Sequence, residues 1–440
     1  MNALIKGLST WDAAALVIGT VIGTGIFLKT ATMAQYLGHP NWVMLAWVIA
    51  GLLSYAGALS YAELSSRFPR AGGEYAYLRE GYGDLVAFLY GWMRMWVGGP
   101  GSIAAYAVGA ATLFSGLVPL PHVPLAVSFI IVSAAINCMT VKASGRIQTL
   151  LTFAKLLLIF GIVAGVLLNT GNTQNWFSAG NHSEFAGWSA FGSALVAALW
   201  AFDGWNNLPM VGSEVKNAQR ALPLALAFGM LAVATAYLSA NVAYFLALPF
   251  EQITTANSTA YPDALPVATL AAQTFLGPSG VAIMSAIFTV SAVGAMHGSI
   301  LTGARVPYAM AMDGLMASPL RYVHPQTRSP IGGVIFECLI ACVLAMSGTF
   351  DQLTDAVVFS GWIFYALATA SLLHFRKQDK KNGSRPAFLA PGFPIVPFLF
   401  VCMSLALLVN TVYSNPKPTL MGLFTISMGA PVYFFFGKKK

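Results

Sequence analysis

Apolar residues in this chain form long unbroken runs rather than alternating with polar ones. Twelve such runs lie near 10–36, 41–65, 85–113, 123–139, 147–169, 188–212, 222–248, 277–312, 331–348, 352–375, 392–413 and 416–437. A run of about 17 residues or more crosses the hydrocarbon core as a helix. The pattern therefore predicts an all-α polytopic membrane protein with twelve transmembrane helices. The longest polar interruptions, 67–84, 170–187, 249–276, 313–330 and 376–391, are too short for a separate soluble domain. One transmembrane domain fills 1–440, and 249–276, with Pro262 and Pro266, is expected to form a short external helix or lid.

Two runs are interrupted at mid-depth. The first carries Gly23-Thr24-Gly25, where each glycine costs about 1 kcal/mol of helix relative to alanine. The sixth carries Phe202-Asp203-Gly204-Trp205-Asn206-Asn207 followed by Pro209, all but the aromatics poor in helix interiors. Unwound backbone at membrane depth is tolerated only where it faces protein, water or a ligand, and such breaks point to a carrier's binding site. Five spans separate the two breaks. Because five is odd, a second copy of the first five spans must be inverted, with repeats about 10–169 and 188–375. Residues 392–437 form accessory helices outside the repeat, suited to scaffold or dimer contact.

Composition and charge agree with a membrane protein. Of 440 residues 57% are hydrophobic and 9% charged, against about 25% charged in soluble domains. The net charge of +8 is spread over alternate loops: Lys6; Arg67, Arg70 and Arg79; Lys142 and Arg146; Lys216 and Arg220; Arg321 and Arg328; Arg376 to Arg385; and Lys438 to Lys440. The other loops carry only Lys417. The positive-inside rule then makes both termini cytoplasmic, as expected of a multi-pass plasma (cytoplasmic) membrane protein. Charges scattered over many short loops do not make a nucleic-acid surface. The first run is too long for a cleavable signal peptide and no small-residue cleavage site follows it. Cys138, Cys338, Cys342 and Cys402 read as small buried hydrophobes, since the Cys338–Cys342 pair lacks further metal ligands. The six histidines do not cluster, and there is no P-loop, kinase or hydrolase motif, so neither a metal, a cofactor nor an enzyme is expected.

The breaks carry the candidate chemistry. A helix restarting after Gly25 presents free N–H groups and roughly half a positive charge, suited to a carboxylate. Carbonyls near Val21 and Ile22, and near Ala201 and Phe202, suit an ammonium group. Together they fit an α-amino acid zwitterion; a glycine-mediated helix crossing is the alternative. Lys155, in the middle of the fifth run, costs about 2.5–3.5 kcal/mol on insertion and reads as functional unless it snorkels. Its expected role is a fixed cation bonded to the backbone around Gly23, replacing a sodium ion. Asp203 is the one acid in a break; it could cap the short helix that follows, pair with a cation or carry a proton. Tyr237 offers a hydroxyl in the seventh run, and Trp200, Phe202 and Trp205 crowd the second break. In the eighth run, Ser291 and His297 accompany Gly294 and Gly298. Arg305 is expected to snorkel from its end, with Glu337 as its possible partner.

At these residues the chain resembles the L-type amino acid transporter family of the amino acid–polyamine–organocation superfamily, and most resembles its bacterial alanine–serine–cysteine exchangers. The matching segments are Ile22-Gly-Thr-Gly-Ile-Phe27, Ala201-Phe-Asp-Gly-Trp-Asn206, Glu214-Val-Lys-Asn-Ala-Gln-Arg-Ala-Leu-Pro223 and Phe68-Pro-Arg-Ala-Gly-Gly-Glu-Tyr75. The resemblance implies a five-plus-five inverted repeat and sodium-independent exchange of small neutral L-amino acids. It places the substrate carboxylate on Thr24 and Gly25, within 21–26 (Ile26 included), and the amine near Val21, Trp200 and Gly204. Lys155 and Tyr237 match a fifth-helix lysine and a seventh-helix tyrosine, and Trp200, or alternatively Phe202, the gating aromatic. Animal members join a glycoprotein through a cysteine that Ser115–Pro124 lacks, so no disulfide-linked subunit is expected, and the chain reads as a monomer or weak homodimer. Asp203 stands where the family has glycine, which keeps a proton-coupled, cationic amino acid or polyamine carrier as the alternative. A channel or intramembrane enzyme is a remote one.

Overall fold

The computed structural model describes residues 3–114, 118, 120–169, 185–347, 350–414 and 416–437. All twelve runs are helical there. The first is split into α1 (Thr10–Val21) and α2 (Gly25–Leu37), and the second is α3 (Pro40–Arg67). A short helix, α4 (Glu74–Tyr82), precedes the third, which comprises α5 (Asp84–Met93) and α6 (Gly99–Phe114) joined by a π-helical turn at Arg94–Gly98. Next come α7 (His122–Asn137), α8 (Val141–Asn169) and α9 (Trp188–Phe202), the last continued by 3-10 turns at Trp205–Met210 and Gly212–Glu214. Then follow α10 (Ala218–Ala247), two short helices α11 (Phe250–Thr254) and α12 (Val267–Leu276), α13 (Ser279–Gly303) and α14 (Arg305–Met312). The chain ends in α15 (Ile331–Ser347), α16 (Phe350–Asn382), α17 (Ile395–Ser414) and α18 (Pro416–Gly437). Among the described residues, eight helical stretches are long and apolar enough to cross a membrane, and the fourth, sixth and ninth runs form shorter apolar helices. Residues 170–184 of the interruption at 170–187, and 115–117 and 119 of the stretch lacking a cysteine, lie outside the described residues.

Local signals explain where helices start and stop. Ser9 and Asp12 form a reciprocal capping box at the start of α1, with bonds of 3.2 and 2.9 Å. Pro40 at the first turn of α3 has no N–H to leave unpaired. Helices five spans apart pack together: α2 on α9, α3 on α10, α6 on α13 and α7 on α15. Large apolar side chains face outward, as Leu150, Phe153 and Leu157 do on α8, and a lipid phase is the medium that accepts them without cost.

The two ends of the bundle differ. At one, the basic interruptions knit together. The N–H groups of Gly7 and Leu8 donate to the Glu214 carbonyl at 2.9 and 3.1 Å, and Lys216 N–H donates to Leu8. Gly72 N–H donates to Met210, and Arg79 bridges Asp84 and Asp313 at 2.7 Å each. Arg376 and Arg67 both pair with buried Glu63 at 2.6 Å. At the other end the 249–276 segment forms a strap of α11, a loop and α12, held to α2 by Gln35 through Thr254 and Ser258. A cavity of about 490 Å³ lies beneath this strap, between Leu28, Lys29 and Thr32 of α2, Thr112 of α6 and Ser285 of α13.

Candidate functional site

The two breaks meet. Gly204 has φ +116°, a region L side chains rarely adopt, and a methyl there would lie 2.9 Å from the Thr20 carbonyl oxygen. A methyl on Gly25 would lie 2.6 Å from Cα and Cβ of Ala201. Each break thus uses a glycine to seat the other's backbone. Thr20 Oγ1 donates to the Gly204 carbonyl at 3.0 Å and ties the two strands of unwound chain.

Most carbonyls exposed by the first break are held by side chains from elsewhere. Lys155 Nζ donates to Gly19 at 2.8 Å and to Ile22 at 2.7 Å. The Tyr237 hydroxyl lies 2.9 Å from the Val21 oxygen and 2.8 Å from that of Ala201, joining both breaks. Ser291 Oγ donates to Gly23 at 3.1 Å. Trp200 O accepts the Asp203 N–H at 3.1 Å. The restarting α2 keeps its end free: the N–H groups of Gly25 and Ile26 have no acceptor within the helix. Beside them Thr24 Oγ1 is fully buried and has no hydrogen-bond partner.

The structure places each of the other candidate residues. Lys155 is 1% exposed, so it does not snorkel. Neither does Arg305: it too is 1% exposed and forms a bidentate pair with Glu214 at 2.7 and 2.9 Å. Its partner is therefore Glu214 and not Glu337, because the turn after α9 brings Glu214 beneath α14. Asp203 does not cap the turn that follows, whose capping residue is Gly204 without a side-chain bond; it accepts from the Tyr365 hydroxyl at 2.8 Å. Phe202 packs into the core against Trp47 and Tyr237, with ring centroids 5.9 and 5.0 Å away. Trp200 instead faces Tyr106, 5.6 Å between centroids.

Sequence reasoning passed over four residues. Tyr106 reaches the Thr20 carbonyl at 3.3 Å and lies against Gly23. Lys29, within the first run, is buried at the cavity and reaches Thr354 at 3.4 Å. Arg94 sits in the π-helical turn and donates to Asn207 at 2.9 Å. Glu74 accepts from Tyr61, from Tyr90 at 3.1 Å and from Asn206 at 3.2 Å. Burial pushes the Glu74 carboxyl up to about 7, against the opposing pull of those donors and Arg94. Lys29 and Arg94 were detectable from sequence, each being a charge inside an apolar run.

A helical membrane bundle with two facing mid-depth breaks is the architecture of a secondary transporter. Residues 8–436 match the family described as amino acid permease, and the chain belongs to that family. It is a multi-pass membrane transporter of amino acids and not an enzyme. It is 32% identical over 453 residues to the serine/threonine exchanger SteT of Bacillus subtilis, covering 100% of this chain and 98% of that one. It is 31% identical over 444 residues to the human cystine/glutamate transporter, covering 98% and 84%. To the human b(0,+)-type amino acid transporter 1 it is 29% identical over 445 residues, covering 99% and 88%.

Proposed function

We propose that this chain exchanges small neutral L-amino acids, of the alanine–serine–cysteine type, by sodium-independent alternating access across the plasma membrane, with both termini cytoplasmic. The observation that carries this reading is the unpartnered Thr24 hydroxyl beside the free N–H groups of Gly25 and Ile26. Three donors at a positive helix end, two N–H groups without an acceptor in the helix and a buried hydroxyl without a partner, suit a carboxylate. The amine would use second lone pairs on the carbonyls of Val21 and Trp200, beside Gly204, whose own carbonyl already accepts from Thr20 Oγ1 and the Asn207 N–H. Lys155, bonded to the Gly19 and Ile22 carbonyls, would take the place of a sodium ion at this backbone, which supports sodium independence. Tyr106 against Trp200 restricts the room for a side chain and favours a small one. The similarity to a serine/threonine exchanger is in keeping with that size.

The pairing of helices five spans apart supports inverted repeats at about 10–169 and 188–375, with 392–437 accessory. Engagement of Asp203 by Tyr365 counts against a cationic substrate. Ser115–Pro124 has no cysteine, in keeping with a monomer or weak homodimer without a disulfide-linked subunit. Uptake of labelled alanine into proteoliposomes tests the reading. Internal amino acid should accelerate it, and replacing sodium should leave it unchanged. Uptake indifferent to internal substrate, or dependent on sodium, would contradict exchange of this kind.

A further inference from the structure

Glu337 is a buried acid that neither the breaks nor the basic end uses. It stands about two turns into α15 and is 4% exposed. Its carboxyl packs against the bare backbones of Gly99, at the start of α6, and Gly303, at the end of α13. Its Oε2 is buried and accepts no hydrogen bond. Two cations lie within electrostatic reach, Arg94 and Arg305. Both bond elsewhere: Arg94 to Asn207, and Arg305 to Glu214. An ionised carboxylate in this setting bears a large desolvation cost, which the neutral acid avoids. An ionisable group at membrane depth with no structural partner invites a functional reading.

We propose that Glu337 is a proton-binding site that couples opening of the cytoplasmic end to release of one proton. The proposal rests on the alternating-access reading above. With the cytoplasmic end closed, Arg305 pairs with Glu214 and Glu337 keeps its proton. Opening that end carries Glu214 away with the turn after α9 and hydrates its carboxylate. Arg305 stays on α14, which continues from α13, whose last residue already touches Glu337. The guanidinium then pairs with Glu337; the carboxyl O–H bond breaks and the proton passes to cytoplasmic water. Closing takes one proton back. Charge balances, since the loss of the proton from Glu337 matches the carboxylate gained beside Arg305. The closed state binds one proton more than the open state, so cytoplasmic acid favours closure. The open-to-closed ratio changes by about tenfold per pH unit between the two states' titrations.

No other described group facing Glu337 duplicates this role. Its own helix adds Cys338 and Cys342, and the end of α7 adds Cys138. From α13 comes His297, engaged with Asn137 and the Ser144 carbonyl. From α6 comes Tyr106, turned to Thr20. The turn carrying Arg94 and helix α14, with Arg305 and Tyr308, supply the rest of that environment, while Arg321 and His122 are exposed. Glu74 titrates separately, so the test reads a difference.

In oriented proteoliposomes, exchange by the wild-type chain should slow as the cytoplasmic-face pH falls, and Glu337→Gln should lose one proton's worth of that slope. An unchanged slope in the variant would overturn the proposal. A second readout needs no substrate and so separates this claim from the exchange reading. The infrared spectrum of the purified full-length protein should contain a protonated-carboxyl C=O band that Glu337→Gln removes. If the variant removes no such band, Glu337 is ionised and the proposal is wrong. Should Glu337→Gln fail to accumulate, Glu337→Asp should move both the band and the pH midpoint, and unchanged values would overturn it equally.

Discussion

Lys155 reaches two carbonyls at the end of α1 and just beyond it, Gly19 and Ile22, from a helix that follows in sequence by more than a hundred residues. Removing it leaves two buried acceptors without donors, at about 1–3 kcal/mol each. Lys155→Ala should therefore lower exchange by more than tenfold and lower the melting temperature in detergent; wild-type kinetics in the variant would contradict the assigned role. This lysine was legible in sequence because nothing in its apolar run explained it. Arg305 and Asp203 were misread for one reason. Their partners, Glu214 and Tyr365, lie 91 and 162 positions away in the chain. A single sequence shows a charged residue near a span end, or an acid before a short helix, and offers snorkelling or capping as local solutions. Tertiary pairing displaced both. Arg94, among the aromatic and methionine neighbours of Gly91–Gly98, was passed over although it is a charge inside an apolar run.

Among the elements, the broken first and sixth spans were legible because glycine, aspartate, asparagine and proline interrupt helices for known reasons. Their mutual seating was not, since it depends on the close approach of Gly25 to Ala201 and Gly204 to Thr20. The latch at the basic end was equally invisible: it joins the segment before α1, the turn after α9 and the start of α14. Leaving a buried Arg305 without its carboxylate costs about 3–5 kcal/mol, comparable with the few kcal/mol separating conformations of a two-state protein. Glu214→Gln should thus shift the chain toward the state open at this end. Hydrogen exchange at the Leu8 and Lys216 amides, which are bonded across the latch, should then accelerate. Protection equal to wild type would show that the ion pair does not hold this end shut.

At the scale of the whole molecule, all twelve apolar runs were legible from length alone and all are helical in the fold. What length could not convey is that the third contains a π-helical turn and that the strap covers a cavity opposite the latch. This asymmetry, closed at the basic end and hollow beneath the strap, fits one state of an alternating-access cycle. Its central claim is that both charges of an amino acid are held by backbone at the paired breaks. The most direct measurement is competition against labelled L-alanine in sodium-free proteoliposomes by L-alanine, its carboxamide and its N-acetyl derivative. L-Alanine should compete while each derivative, lacking one charge, fails to. Competition by either derivative equal to that of L-alanine would contradict the account.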